Sequence, residues 1–272
     1  MQKVRAARLI LAVLLCLFLV TLSASAQVRP AKYSNKSLKG AYSFLADTWL
    51  SNPSDSPQSS LGIFSFDGAG NLTVTVTINE SGTVMTGTGT GTYSVAKTGT
   101  GSMNITLSFG NTVTFAIVLD SAGKSFQFLQ TSCTGCGGTS TDVDEGTATA
   151  MGASSFSNAS LKGSYEWLAL KWTSSQNSNA AVRVGTATFD GVSNVNTAGT
   201  QVIAGQASSY SASGTYSVNS DGSGSMNMTD KSGGTFTVSL VINTAGKGFQ
   251  HMITASSGDF TGYVSDGTAT KQ

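Results

Sequence analysis

Between residues 72 and 78 the chain alternates without a break: Leu72, Val74, Val76 and Ile78 are separated by Thr73, Thr75 and Thr77. A period of two sets the apolar residues on one face of a strand and the threonines on the other, so this segment reads as a strand with one buried and one wet face. The same period recurs along the chain. Tyr42, Phe44 and Ala46 share a face of a strand over 40–48, and a second strand covers 61–66. A fourth ends at Gly91-Thr92-Tyr93-Ser94-Val95, and Met103, Ile105 and Leu107 mark a fifth. Val113, Phe115, Ile117 and Leu119 mark a sixth over 112–119; a seventh covers 125–131 and an eighth 146–150. Between them lie Asp67-Gly68-Ala69-Gly70-Asn71, Lys97 to Gly101, Gly110-Asn111 and Asp120 to Lys124, residue types that cap a turn or take positive φ. Residues 50–60, with Pro53 and Pro57, read as a long loop.

The whole pattern then repeats. Ser37-Leu38-Lys39-Gly40-Ala41-Tyr42 returns as Ser160-Leu161-Lys162-Gly163-Ser164-Tyr165, and Phe66-Asp67-Gly68 as Phe189-Asp190-Gly191. Gly91-Thr92-Tyr93-Ser94-Val95 returns as Gly214-Thr215-Tyr216-Ser217-Val218. Ungapped alignment of 35–131 with 158–254, an offset of 123, gives 38 identities in 97 positions. The chain is a tandem duplication of one β domain. About eight strands per copy, mostly joined by short turns, can close on themselves and remove both sheet edges. The expected fold is therefore all-β: two tandem antiparallel up-and-down barrels of about eight strands, with β-sandwiches as the alternative. The domain division is 1–26 signal peptide, 27–34 linker, 35–152 first barrel and 153–272 second barrel.

The first 26 residues read as an export signal: basic Lys3, Arg5 and Arg8, an apolar run Leu9 to Leu22, and Ala24-Ser25-Ala26 before Gln27. A run of 14 residues is short of the roughly 20 needed to span a bilayer. Cleavage after Ala26 and a secreted or periplasmic location are expected, with no stable membrane insertion afterwards. Cleavage leaves twelve basic residues against fourteen acidic ones with no basic cluster, which argues against nucleic acid as a partner.

With Leu-Lys-Gly-x-Tyr at the front, Phe-Asp-Gly after the second strand, Gly-Thr-Tyr-Ser-Val in the middle and Gly-Thr-Ala-Thr at the end, each copy resembles a domain of uncharacterised secreted proteins of soil acidobacteria. That resemblance implies no activity. The eight-strand plan also resembles the calycins (lipocalins and avidins), with Gly40-Ala41-Tyr42 and Gly163-Ser164-Tyr165 standing where a lipocalin carries Gly-x-Trp. What this implies is a barrel architecture.

Candidate chemistry is sparse. No nucleophile elbow, zinc-binding His-Glu-x-x-His or phosphate loop is present, and no cofactor or metal is expected. The single histidine, His251, replaces Phe128 of the first copy, and a place in the core is the expectation. Cys133 and Cys136 sit near the seventh turn, without the setting of a redox helix; a local disulfide is expected. The Asp-Gly turns bear only a faint likeness to calcium loops, and hairpins use the same residues for backbone reasons. The aromatic residues either fill the barrels or line a cavity for an apolar ligand. If the latter, the contact residues are Trp49 and Trp172 beside the long loops, with Tyr42, Tyr165, Phe44 and Trp167. The leading expectation is a non-enzymatic secreted protein binding a small hydrophobic molecule. The alternative is a structural or adhesive envelope protein that contacts glycans or other proteins.

Overall fold

The computed structural model describes residues 33–49, 57–136, 143–173, 181–257 and 263–272. The expected signal peptide and the linker as far as Lys32 lie outside the described residues, as do the side chains of Trp49 and Trp172. Eight strands follow one another in the first copy: β1 (Lys39–Trp49), β2 (Gln58–Asp67), β3 (Asn71–Glu80), β4 (Thr83–Val95), β5 (Thr100–Leu107), β6 (Thr112–Leu119), β7 (Ser125–Thr134) and β8 (Val143–Ala150). The second copy repeats them as β9 (Gly163–Thr173), β10 (Ala181–Phe189), β11 (Asn194–Ile203), β12 (Gln206–Val218), β13 (Ser223–Asp230), β14 (Thr235–Asn243), β15 (Gly248–Ser256) and β16 (Tyr263–Lys271). Within each copy every strand pairs antiparallel with the next, and the pairing of β1 with β8 and of β9 with β16 closes two barrels. Closure, not a sandwich, is the outcome.

Several strands run longer than the sequence pattern indicates, β2 and β7 among them. β2 begins at Gln58, because Ser59 and Ser60 pair with Asp47 and Ala46 of β1. β7 continues through Cys133, which pairs with Val113 of β6. In both cases a neighbouring strand supplies the ladder that local alternation does not reveal.

Inward positions carry the rings. In the first barrel Phe44 stacks on Phe64 with centroids 4.2 Å apart, and Phe128 meets Phe64 edge-on at 5.8 Å. Gly62 lies opposite Phe44, and a methyl group there would sit 2.7 Å from the Phe44 ring and 2.1 Å from Thr75 O. Only glycine lets ring and ladder coexist.

One end of each barrel is plugged by the repeated motif. A one-turn 3-10 helix (Asn35–Ser37, and Asn158–Leu161 in the second copy) delivers Leu38 or Leu161, each wholly buried, under the strands. The Tyr93 hydroxyl reaches Asn35 O and Leu38 O at 2.9 Å each, and Tyr216 donates to Asn158 O at 2.9 Å. Gly40 and Gly163 turn the chain into β1 and β9 at φ +93° and +120°, which explains the recurring Leu-Lys-Gly. At the same end Asp67 accepts from Ala69, Gly70 and Asn71 N–H and from the Asn71 amide; Asp190 does the same with Val192, Ser193 and Asn194. Both carboxylates are thus spent on closing hairpins.

The barrels pack side by side, outer face to outer face. Leu61 and Ile63, outward on β2, join one apolar cluster with Val241 and Met252 of the second barrel. The connection is fastened too: Met151 N–H donates to Ala41 O at 2.9 Å and Phe156 N–H to Ser220 O at 3.0 Å.

Candidate functional site

The equivalent interior positions of the two barrels hold different chemistry. Ser60, Gly87, Phe44, Val74, Ile78 and Phe128 of the first copy become Arg183, Tyr210, Trp167, Thr197, Gln201 and His251 in the second. Arg183, on β10, is inward and only 4 % exposed, between the pairing partners Ala169 on β9 and Gln201 on β11. Its Nε donates to Gln201 Oε1 at 3.0 Å, and its Cζ lies 4.4 Å from the Tyr210 ring centroid, a cation–π geometry. Tyr210 in turn stacks on Trp167 (5.9 Å, 22°), and Trp167 on His251 (5.4 Å, 29°). The result is a four-layer stack of guanidinium, phenol, indole and imidazole across the barrel.

Burial dominates the electrostatics of this stack. It lowers the Arg183 pKa, opposed by Tyr210 and Asp230, and it raises the Tyr210 pKa, opposed by Arg183. Burial also holds His251 down to about 4, so the ring is neutral; its Nε2–H donates to Leu168 O at 3.1 Å. Two donors in the stack find no acceptor among the described residues: Trp167 Nε1–H, in a residue 6 % exposed, and the Tyr210 hydroxyl, in a residue 5 % exposed. Thr197, whose hydroxyl donates to Ala212 O at 3.4 Å, lies close to the Tyr210 oxygen without forming a hydrogen bond to it.

The first barrel shows the contrast. Phe128 meets Phe44 edge-on at 6.0 Å and Phe115 at 5.4 Å, and none of its described charged residues is fully buried; Asp144, at an inward position of β8 opposite Thr48, is half-buried and accepts from the Thr48 hydroxyl. At the end away from the plug the Phe109 ring occupies the space over Gly87: a methyl group on Gly87 would fall 2.5 Å from it. Ser232 replaces Phe109 in the second copy and is turned to Asp230, to which its hydroxyl donates at 2.7 Å.

Of the residues expected at a ligand site, Phe44 and Trp167 occupy equivalent interior positions opposite Gly62 and Gly185. Tyr42 and Tyr165 lie toward the plugged ends, where their hydroxyls donate to Gly123 O at 2.7 Å and Gly246 O at 2.8 Å. Burial pushes the Tyr165 phenol up to about 12. Trp49 ends β1 and Trp172 is the last residue but one of β9, both with side chains outside the described residues. Cys133, opposite Val113 of β6, and Cys136 form a disulfide with Cα atoms 5.9 Å apart near the end of β7. Arg183, Tyr210 and Gln201 were not singled out by sequence reasoning. The signal that marks them is a charged or polar residue at an inward position where the other copy has a small or apolar one.

No protein-family model matches the chain, and no curated protein matches it. Solved structures do. A protein of unknown function from the DUF3598 family of Nostoc punctiforme is similar over 87% of this chain and 97% of its own, at 10% identity and a TM-score of 0.27. Intact Ap-TbpB, with its N and C lobes, is similar over 89% of this chain and 77% of its own, at 7% identity and a TM-score of 0.23. Transferrin binding protein B from Haemophilus parasuis is similar over 85% of this chain and 75% of its own, at 8% identity and a TM-score of 0.25. At such identities and scores, none of these likenesses bears on what this chain binds.

Proposed function

We propose that this is an exported, non-enzymatic binding protein whose second barrel holds a small, largely apolar molecule bearing a hydrogen-bond acceptor. The observation that carries this reading is the pair of buried donors beside the interior Arg183, Trp167 Nε1–H and Tyr210 O–H, that lack an acceptor among the described residues. A buried donor left unpaired costs about 1–3 kcal/mol, and an acceptor on a ligand would relieve that cost twice. The stacked indole and phenol supply the apolar contact surface such a ligand needs. The first barrel, filled by its own rings, would serve as a rigid partner. Its Thr-rich outer face, where Thr73, Thr75 and Thr77 pair with Thr90, Thr88 and Thr86, favours a second reading as a structural or adhesive module.

Native mass spectrometry of the mature protein, purified from its own host, separates the two. The binding reading expects a discrete added mass that is lost on denaturation. Trp167→Phe, which restores the first copy's residue type, and Tyr210→Phe should each weaken retention roughly tenfold, the equivalent of one lost hydrogen bond. A bare mass from repeated host preparations, unchanged by either substitution, would leave the structural reading. The same spectra report export: the mature chain should begin at Gln27.

A further inference from the structure

The face between the barrels carries a polar row within an apolar surround. Asp47 on β1 stands opposite Ser59 on β2, and Ser59 opposite Asn79 on β3. All three occupy outward positions, since Tyr42, Phe44 and Ala46 take the inward ones of β1. From the second barrel comes Asp266 of β16, outward between Leu170 of β9 and Met252 of β15. Ser59, Asn79 and Asp266 are each no more than 1 % exposed. The Asn79 amide crosses the junction to donate to Ile253 O at 2.7 Å and accepts from Gly82 N–H at 2.8 Å. Beside it the carboxyl groups of Asp47 and Asp266 meet, one from each barrel. Asp47 Oδ1, Asp266 Oδ2 and Ser59 Oγ are buried and, among the described residues, have no hydrogen-bond partner outside their own group.

Two ionised carboxylates in this position would suffer both desolvation and like-charge repulsion. A single proton between them removes one charge and supplies a donor. We propose that Asp47 and Asp266 share one proton across the junction, a carboxylic acid–carboxylate hydrogen bond that latches the two barrels and is released by alkali. Burial, then the hydrogen bond and charge of Asp47, hold the Asp266 carboxyl far above the usual carboxylate range, with Ser59 acting weakly the other way. Glu145 of β8 stands opposite Asp47 and is engaged in an interaction of its own; the other residues paired around the two acids, Ser59, Asn79, Leu170 and Met252, are uncharged. Asp47, Glu145 and Asp266 are therefore the titratable side chains at this face among the described residues.

The direction of the effect follows from linkage. The folded state keeps a proton that the unfolded chain releases near pH 4. The latch therefore contributes fully below about pH 4, and its contribution falls by up to tenfold in the folding constant per pH unit as pH rises toward the raised value.

The test uses the mature two-barrel protein between pH 5 and 10. Infrared spectroscopy at pH 7 should show the carbonyl band of a protonated carboxylic acid, absent in Asp266→Asn. Urea unfolding should show wild-type stability falling above pH 7, a fall that Asp266→Asn, which still offers Asp47 a donor, removes while remaining folded at pH 7. Asp47→Asn should move the infrared titration of Asp266 to lower pH, an effect that a purely structural role would not produce. No acid band at pH 7, or an unchanged alkaline fall in Asp266→Asn, would overturn the latch. Loss of stability at pH 7 on adding a chelator would also overturn it, since a cation rather than a proton would then hold the pair.

Discussion

His251 shows how one residue departs from its own duplicate. Phe128, its counterpart, is a ring among rings, whereas His251 keeps the ring, stacks it on Trp167 and spends one nitrogen on Leu168 O. It must stay neutral to do so. Its folded pKa, down to about 4 because of burial, lies below the unfolded value near 6.5, so its contribution is complete above pH 6.5 and is lost as pH falls toward 4. The depression corresponds to roughly 3 kcal/mol at most. His251→Phe should therefore fold at pH 7 and lose the wild type's destabilisation between pH 6.5 and 4, as measured by urea midpoints. An unchanged acid limb in the variant would place the titration elsewhere. The same contrast of copies points to Trp167, Tyr210 and Arg183, which belong with His251 in one stack.

Among the elements, the hairpins β2–β3 and β10–β11 carry the clearest prediction. Each is closed by an aspartate that takes three backbone N–H donors and an asparagine amide, and these bonds lower the carboxyl to about 2 in Asp67 and in Asp190. Their folded pKa is depressed, so their contribution is present above about pH 4 and is lost as pH falls toward 2. Asp67→Ala with Asp190→Ala should destabilise at neutral pH and flatten the pH dependence below 4. The comparison is made by thermal melts at pH 2.5 and 7. A pH slope below 4 that matches the wild type would mean that other carboxylates govern it.

For the whole molecule, these groups combine into one profile. Below pH 4 the hairpin aspartates make stability rise with pH. Between about 4 and 6.5 His251 and Asp266 act in opposite directions and nearly cancel, each coupling about one proton. Above 6.5 only Asp266 remains, and stability declines. Because the barrels share an apolar cluster and the fastened connection at Met151 and Phe156, calorimetry should show one transition near pH 5.5. By pH 10, with the junction charged, the transition should broaden or split in two. A split already present at pH 5.5 would show that the junction does not couple the barrels.

Much of this was legible in the chain because it follows from a period of two. The alternation at Leu72 to Ile78 and its counterparts decides which side chains face inward, and a repeat offset of 123 carries the plan to the second copy. The repeated motifs Leu-Lys-Gly, Phe-Asp-Gly and Gly-Thr-Tyr belong to the plugged end and its hairpins, local structure that local sequence can specify. Tertiary structure alone decided closure, because the pairing of β1 with β8 joins segments about 100 residues apart. It also decided what alternation cannot express. Ser59, Leu61 and Ile63 sit at outward positions yet are buried, because a second barrel covers them. Asp47 and Asp266, ordinary surface acids by pattern, meet only where the two barrels do.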